Sequence, residues 1–484
     1  MAQHDAPFAG LFIDGKRVSA SDNATYSVHN PATGEPLAQV AQGTAQDIGR
    51  AVTAAQRAYT GEWGKFGAGE RAAALRKLAE TIRLHAEELA QIDMRNVGKP
   101  IGDARWEANY AARVFEYYAG LIPVSGGATV PVAAKGTGLT FREPLGVCGL
   151  IVPWNFPLVT VAWKLAPALA MGNTAVLKPA EWTPLSALRL AELMQEADFP
   201  DGVLNVVPGL GSVAGAALAQ HPDVRKVSFT GSTATGTKIL QMAANDIKRV
   251  SLELGGKSAS IVFADADRDK AAASVMSVFA NTGQDCCARS RYLVERSIFK
   301  EFVEQFVENT RKIKIGDPQD ETTELGTLVS PVHRERVEGF VQQGRAAGAT
   351  ALIGGDVLRG ELFDRGCYYA PTVFVDVAPD SVLAQKEIFG PVVALMPFDT
   401  EEEAIRLANG TPYGLSGSLW TRDVARALRV SRKMECGVVS INTSSSVHLE
   451  MPFGGFKQSG FGRELGTAAL DHYSEWKSIF IAED

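Results

Sequence analysis

The chain is poor in the residues that metal and disulfide scaffolds need. Its 484 residues include five cysteines and seven histidines. Neither type recurs at ligand-like spacing, so no metal site is expected. An odd, low cysteine count suits reduced thiols in a cytoplasmic protein better than a secreted framework. Positive charge is not in excess either: 48 Lys and Arg stand against 55 Asp and Glu, a net charge of −7. That argues against a nucleic-acid or anionic-membrane partner, since both need a basic footprint. The opening stretch MAQHDAPFAG lacks a basic segment followed by an apolar one, so no signal peptide is expected. Internal repeats, coiled-coil heptads and low-complexity tracts are absent from the pattern. One apolar run, GVCGLIVPWNFPLVTVAW at 146–163, approaches bilayer-spanning length. Pro153 and Pro157 flank Asn155 within it, and Lys164 follows. Prolines four apart break a helix and a mid-membrane Asn is costly, so a buried strand, a loop and a helix are expected instead.

What is present is a large supply of apolar residues, 46% of the chain. The length suggests roughly two to four domains. The first third reads as helices; in RAAALRKLAETIRLHAEELAQI, the residues Leu75, Leu78, Ile82, Ala86, Leu89 and Ile92 share one face. From residue 147 short apolar runs alternate with helical stretches: VCGLIV, TAVLK, LNVV, KVSFT, VSLEL and ASIVF, with helices over 184–197, 211–220 and 232–245. Continuous apolar strands alternating with helices predict a parallel sheet covered on both faces. The alternation resumes with a helix at 268–280, strand RYLVE and a helix at 297–313. A Gly- and charge-rich stretch then runs to about 365, before strand VVALMPF, a helix at 400–408, strand SGSLW, a helix at 423–434 and strand GVVSIN. That is enough for a second α/β domain. The acidic ADADRD at 264–269 is read as a helix cap through Asp265 or Asp267, not as a cation loop.

Four segments hold unusual chemistry. KVSFTGSTATG (226–236) runs a strand into Gly231, Ser232 and a helix, an arrangement that can bind phosphate, though such turns are common in α/β folds. In TAVLKPAEWTP a strand ends at Lys178 with Glu181 three residues on. The carboxylate could accept ribose hydroxyls, or the two could be an ordinary surface pair. In SLELGGKS, Glu253 between two leucines is either a buried base with a raised pKa or a residue on the solvent face of its strand. NTGQDCCARS (281–290) places Cys286 and Cys287 on a loop after a turn at Gly283. A reachable thiol is a nucleophile once ionised, but two buried inert thiols fit this segment equally well, and composition does not choose between the cysteines.

In order along the chain, VPWNFPL, KPAEWTP, FTGSTATG, LELGGKS, NTGQDCCARS, EIFGPV (387–392) and PFGGFKQSGFGRELG (452–466) resemble the motifs of the NAD(P)-dependent aldehyde dehydrogenase superfamily. The resemblance covers nearly the whole chain. It implies that Cys286, two positions after Gln284, is the nucleophile and that Cys287 is its neighbour. It implies Asn155 as the oxyanion donor, Glu253 as the general base, and Lys178 among both the catalytic and the cofactor positions. Further cofactor positions implied are Ile151, Trp154, Glu181, Gly211, Phe229, Gly231, Ser232, Leu254, Glu387 and Phe389. The substrate pocket is expected from Phe156, Trp163, Asp285, Cys287, Val447 and Phe453, with Ser444 and Ser445 at its mouth.

The implied reaction is oxidation of an aldehyde to a carboxylic acid through thiohemiacetal and thioester intermediates on Cys286. Relatives that pass the acyl group to coenzyme A do not rely on a water-activating Glu at this place, so Glu253 favours the free acid. Glu181 favours NAD over NADP. A small-residue mouth with aromatic walls suggests apolar or aromatic aldehydes of moderate size. The acidic residue often found before GKP in the family is replaced here, giving NVGKP at 96–100. The implied fold is α/β, with two Rossmann-type parallel-sheet domains plus a small β arm: a cofactor-binding domain over 1–122 and 145–254, a catalytic domain over 255–458, and an oligomerisation arm over 123–144 and 459–484. A homodimer or homotetramer is expected, because the arm's alternating pattern would pair with another subunit. A cofactor-independent thiol hydrolase is the rival reading, and NAD dependence separates the two.

Overall fold

A computed structural model describes residues 7–483; residues 1–6 of the stretch read for a signal peptide lie outside them. Two largely parallel sheets carry the fold, in agreement with the expected α/β class. The first has eight strands in the order Gly460–Phe461, Arg249–Glu253, Val224–Thr230, Val147–Ile151, Thr174–Lys178, Leu204–Val206, Leu11–Ile13 and Lys16–Val18. Its central strands are parallel and its edges antiparallel. Val147–Ile151 and Thr174–Lys178 are buried at every position, which is why they read as unbroken apolar runs. The apolar stretch at 146–163 becomes that strand, a loop, and the helix Pro157–Ala170, with Pro157 in the first turn. Among the described residues no helix is long and apolar enough to cross a membrane.

The second sheet has seven strands: Thr350–Ile353, Thr372–Val375, Val392–Phe398, Arg291–Glu295, Ala259–Val262, Ser416–Trp420 and Val438–Ile441. A smaller antiparallel sheet joins Ser474–Ala482, Gly136–Pro144 and Thr129–Val130. Phe141, Trp476, Phe480 and Ile481 are exposed on it. The segment 459–484 is divided: Gly460–Phe461 pairs with Leu252 and Glu253, and only Ser474–Ala482 enters the small sheet.

Several elements differ from the sequence reading. The first third does not begin with helices; residues 8–41 form five short strands. One pair is a hairpin whose turn, Asp14–Gly15, has positive φ at both residues, the Asp-Gly signal for a tight two-residue turn. Helices follow at Ala45–Thr60, Ala68–Leu84, Ala86–Val97 and Ile101–Leu121. Leu75, Leu78, Ile82 and Leu89 are buried, whereas Ala86 and Ile92 are half-buried because His85 breaks the helix and turns the face. The helix expected over 268–280 is two short ones, Arg268–Ala273 and Met276–Phe279, followed by an irregular turn. The charge-rich stretch before 365 holds a full helix, Pro331–Ala346, and the edge strand Thr350–Ile353. Ser330 caps that helix and proline occupies its first turn, a start signal that the charged composition masked. Asp267 caps the helix after 267 as expected, while Asp265 binds Thr421 and the Arg426 guanidinium.

Candidate active site

One wall of the site is built by strand register. Ile151 pairs with Lys178 and with Phe229, Phe229 with Leu252, and Thr230 with Glu253. The carboxyl ends of four parallel strands therefore form one edge, where open α/β sheets take ligands. Lys178 is buried, its ammonium 3.4 Å from the Glu181 carboxylate, and burial lowers its pKa despite that partner. The Glu181 side chain stays 42% exposed, free to meet a ligand. The π-helical turn Gly211–Gly215 lies beside Lys178, with Gly215 facing its side chain. Strand Val224–Thr230 passes through Gly231 to the helix Thr233–Ala243, whose N-cap is Ser232. Leu254, just past Glu253, is buried against Gly236 of that helix.

The opposite wall carries the thiols, and regular structure does not supply it. Asn281, Thr282 and Gly283 have φ of 49°, 56° and 71° in succession. That left-handed run is costly for a β-branched threonine. A Cβ on Gly283 would fall on the Gly390 carbonyl, so the loop requires glycine. The run turns the chain so that Gln284 is buried and bonded to Asn281 and Thr327, and Cys286 and Cys287 follow. The two sulfurs are 4.0 Å apart. Contact with the Cys287 thiol, then burial, push the Cys286 thiol well above its usual range. Burial also raises Asp285, whose carboxylate accepts from the Cys287 amide at 2.8 Å.

Asn155 bridges the two walls. Its side-chain amide donates to the Gln284 carbonyl at 2.9 Å, so it sits against the thiol loop. Its own carbonyl accepts from Lys99 Nζ at 2.9 Å and from Asn281 Nδ2 at 3.0 Å. Lys99 is buried and paired with buried Glu107. These anchors were not found in the sequence; Lys99 lay in the NVGKP segment, whose chemistry shows only in three dimensions.

Glu253 is buried, so it does not lie on a solvent face of its strand. Neither carboxylate oxygen has a hydrogen-bond partner among the described residues. Burial, and then the nearby Glu464 charge, raise its pKa well above 4.5. Glu387 is half-buried; it accepts from the Gly256 amide at 2.8 Å, and desolvation pushes it up to about 7. The two glycines of LELGG explain this crowding. A Cβ on Gly255 would meet the Glu387 carboxylate, and one on Gly256 the Cys286 carbonyl. They admit neighbouring protein groups as much as any ligand.

A cavity of about 280 Å³ joins these parts. Asn155, Glu253 and Cys286 line it together with Trp154, Gly231, Ser232, Leu254, Glu387 and Phe389. Phe156, Trp163, Asp285, Cys287, Val447 and Phe453 line it as well, and Trp163 packs on Phe453 at 5.1 Å between ring centroids. Five expected positions, Ile151, Lys178, Glu181, Gly211 and Phe229, lie outside this lining, on the strand-end edge beyond Ser232. Ser444 and Ser445 do not line it; their carbonyls accept bonds from Arg289 and Ser440. The sequence reading missed Trp106, Thr160, Trp182, His333 and Arg336 in the lining. His333 comes from the unrecognised helix. Its Nε2 is 2.7 Å from the carbonyl of Phe389, itself at φ 63°, and burial lowers its pKa to about 4.

Comparisons with known proteins point to one family. The profile of the aldehyde dehydrogenase family matches residues 18–479. A protein of Aspergillus niger described as an aldehyde dehydrogenase is 43% identical over 472 residues, 97% of this chain and 94% of its own. The NAD+ complex of an aldehyde dehydrogenase from Bacillus cereus has a TM-score of 0.96 at 43% identity, covering 98% of this chain and 97% of that one. A betaine aldehyde dehydrogenase point mutant from Staphylococcus aureus, in complex with NAD+ and with a BME-modified cysteine, has a TM-score of 0.95 at 38% identity, over 97% and 95% of the two chains.

Proposed function

The chain belongs to the aldehyde dehydrogenase family, and from that premise we propose that it oxidises an aldehyde to a free carboxylic acid with NAD, through a covalent adduct on Cys286. The observation that carries this reading is one cavity lined by a thiol, an amide and a buried carboxyl, Cys286, Asn155 and Glu253. Cys286 Sγ attacks the carbonyl carbon and forms a thiohemiacetal. The Asn155 amide and the Cys286 backbone N–H hold the oxyanion; losing one such donor costs about 2.7–4 kcal/mol. NAD, when bound, supplies the hydride acceptor that converts this adduct to a thioester. Glu253 then takes a proton from the water that attacks the thioester and releases the acid.

The residues present fit a dinucleotide. Gly231 and Ser232 open a helix N-terminus beside the cavity, suited to a pyrophosphate. Lys178 and Glu181 stand at a strand end, suited to the adenosine ribose, and the exposed Glu181 carboxylate would repel a 2′-phosphate, favouring NAD over NADP. Ile151, Gly211, Phe229 and Leu254 shape that edge, with Trp154, Glu387 and Phe389 towards Cys286. Phe156, Trp163, Val447 and Phe453 make the other end apolar, which supports an apolar or aromatic aldehyde of moderate size.

The same reading assigns residues 1–122 and 145–254 to cofactor binding, 255–458 to catalysis, and 123–144 with 474–484 to an arm, while Gly460–Phe461 stays with the cofactor-binding sheet. The exposed apolar residues of the small sheet support a homodimer or homotetramer formed through it. Five free thiols support a cytoplasmic setting. The test is a panel of aliphatic, aromatic and charged aldehydes with NAD and NADP in parallel. NADH formed in step with acid from apolar aldehydes is the expected result; preference for betaine aldehyde or a semialdehyde would sink the substrate class. Glu253→Gln should keep the first-turnover burst of NADH while steady turnover falls about 10²–10⁴-fold, and an unchanged steady state would refute the base.

A further inference from the structure

Arg289 stands out among the groups that this mechanism does not use. It is 1% exposed, and its charged neighbour Asp285 acts on it without a direct ion pair among the described residues. A buried guanidinium is costly unless its protons are used. Its two terminal nitrogens are spent on two loops and on strand Ser416–Trp420, while Nε has no partner among the described residues. Nη1 donates to the Cys287 carbonyl at 2.5 Å. Nη2 donates to Ser446 Oγ at 2.7 Å, to the Gly417 carbonyl at 3.1 Å and to the Ser444 carbonyl at 3.4 Å. Cys287 belongs to the nucleophile loop, whereas Ser444 and Ser446 belong to the segment after strand Val438–Ile441. Between them these loops contribute Cys287 and Val447 to the cavity lining. Among the described residues, the hydrogen bonds joining residues 281–290 to 442–451 all come from Arg289.

We propose that Arg289 is a positioning residue that clamps the 442–449 segment to the nucleophile loop and so sets the width of the aldehyde tunnel beside Cys286. This rests on the assignment of that end of the cavity to the aldehyde. The planar fork matters, because one group must reach a carbonyl on one loop and a carbonyl and a hydroxyl on the other. A lysine can keep the charge but not all of these bonds at once. The clamp acts on where Val447 stands, so it governs how well the aldehyde is held and leaves the Cys286 chemistry and the cofactor end unchanged.

The test compares Arg289→Ala, Arg289→Lys and Ser446→Ala with the wild type. Ser446 is half-buried on the far loop, so its variant removes one acceptor without disturbing the fold. Loss of one to several such bonds predicts that KM for the aldehyde rises about threefold in Ser446→Ala and about tenfold or more in Arg289→Ala. Arg289→Lys should fall between wild type and alanine, with kcat and the KM for NAD held within about twofold. Amide hydrogen exchange at 442–449 should speed up in the same order, a readout that needs no turnover. Wild-type KM and wild-type exchange in both Ser446→Ala and Arg289→Lys would overturn the clamp, as would a fall in kcat at constant KM. A wild type that oxidises no aldehyde would instead defeat the assigned function, and the exchange measurement would still decide Arg289.

Discussion

The two walls of the site are made by opposite means. On the first, Lys178, Phe229 and Glu253 sit at the ends of parallel strands whose register aligns them. The hydrogen-bond ladders place those side chains, and no residue there needs an unusual backbone. On the second, Cys286 follows three successive left-handed residues and is surrounded by groups from distant loops: Asn155, Gly256 and Glu387. A strand ladder tolerates side-chain change so long as the faces stay apolar or polar in turn. A left-handed turn packed against another backbone tolerates almost none. The thiol-bearing wall therefore stores strain, while the strand-end wall does not.

Removing the sulfur tests the comparison most severely. Cys286→Ala should lower aldehyde oxidation by about 10⁴-fold or more, while NAD binding to the strand-end wall, followed by calorimetry, stays within about twofold. Loss of both together would show that the walls are not independent. Gly283→Ala probes the turn itself. A Cβ there meets the Gly390 backbone at positive φ, so unfolding free energy should drop by about 1–3 kcal/mol and activity should fall with it. A fully stable, fully active variant would mean that the turn carries no strain.

The thiol's protonation gives a third contrast. Because Cys286 is held above its usual pKa, its proton is retained as pH rises through neutrality, and only the thiolate reacts. Alkylation of Cys286 by iodoacetamide in the cofactor-free protein should therefore be slow at pH 7 and climb through the alkaline range, lagging a free cysteine of pKa about 8.5. A profile that is flat from neutrality upward would contradict the raised thiol pKa. The smallest effect belongs to the strand-end wall. Glu181→Ala should improve the use of NADP relative to NAD by about tenfold, roughly 1.4 kcal/mol, read from the ratio of kcat/KM values. No change in that ratio would remove Glu181 from cofactor selection.

Both the fold class and the strand-end wall could be read from the pattern. Val147–Ile151 and Thr174–Lys178 announce themselves because strands buried on both faces must be apolar throughout. The N-terminal strands escaped, being short and half-exposed, and so did the helix Pro331–Ala346, whose buried face is narrow. With that helix went His333 and Arg336. Glu253 was ambiguous for a definite reason: alternation along a strand is the same whether the second face meets solvent or a packed loop.

The sequence by itself determined the alternation that makes parallel sheets and the segments that resemble one family, and it is that resemblance, in the register from Gln284, that favours Cys286 over its neighbour. Local pattern carries such information because periodicity and motif spacing are written along the chain. Only the tertiary structure decided that Glu253 is buried without a partner, that Lys99 and Asn281 hold Asn155, and that Arg289 bonds both to Cys287 and to Ser444 and Ser446. Those contacts join residues up to 157 positions apart. Burial and hydrogen-bond partners across such distances depend on how the sheets pack together, which no local pattern encodes.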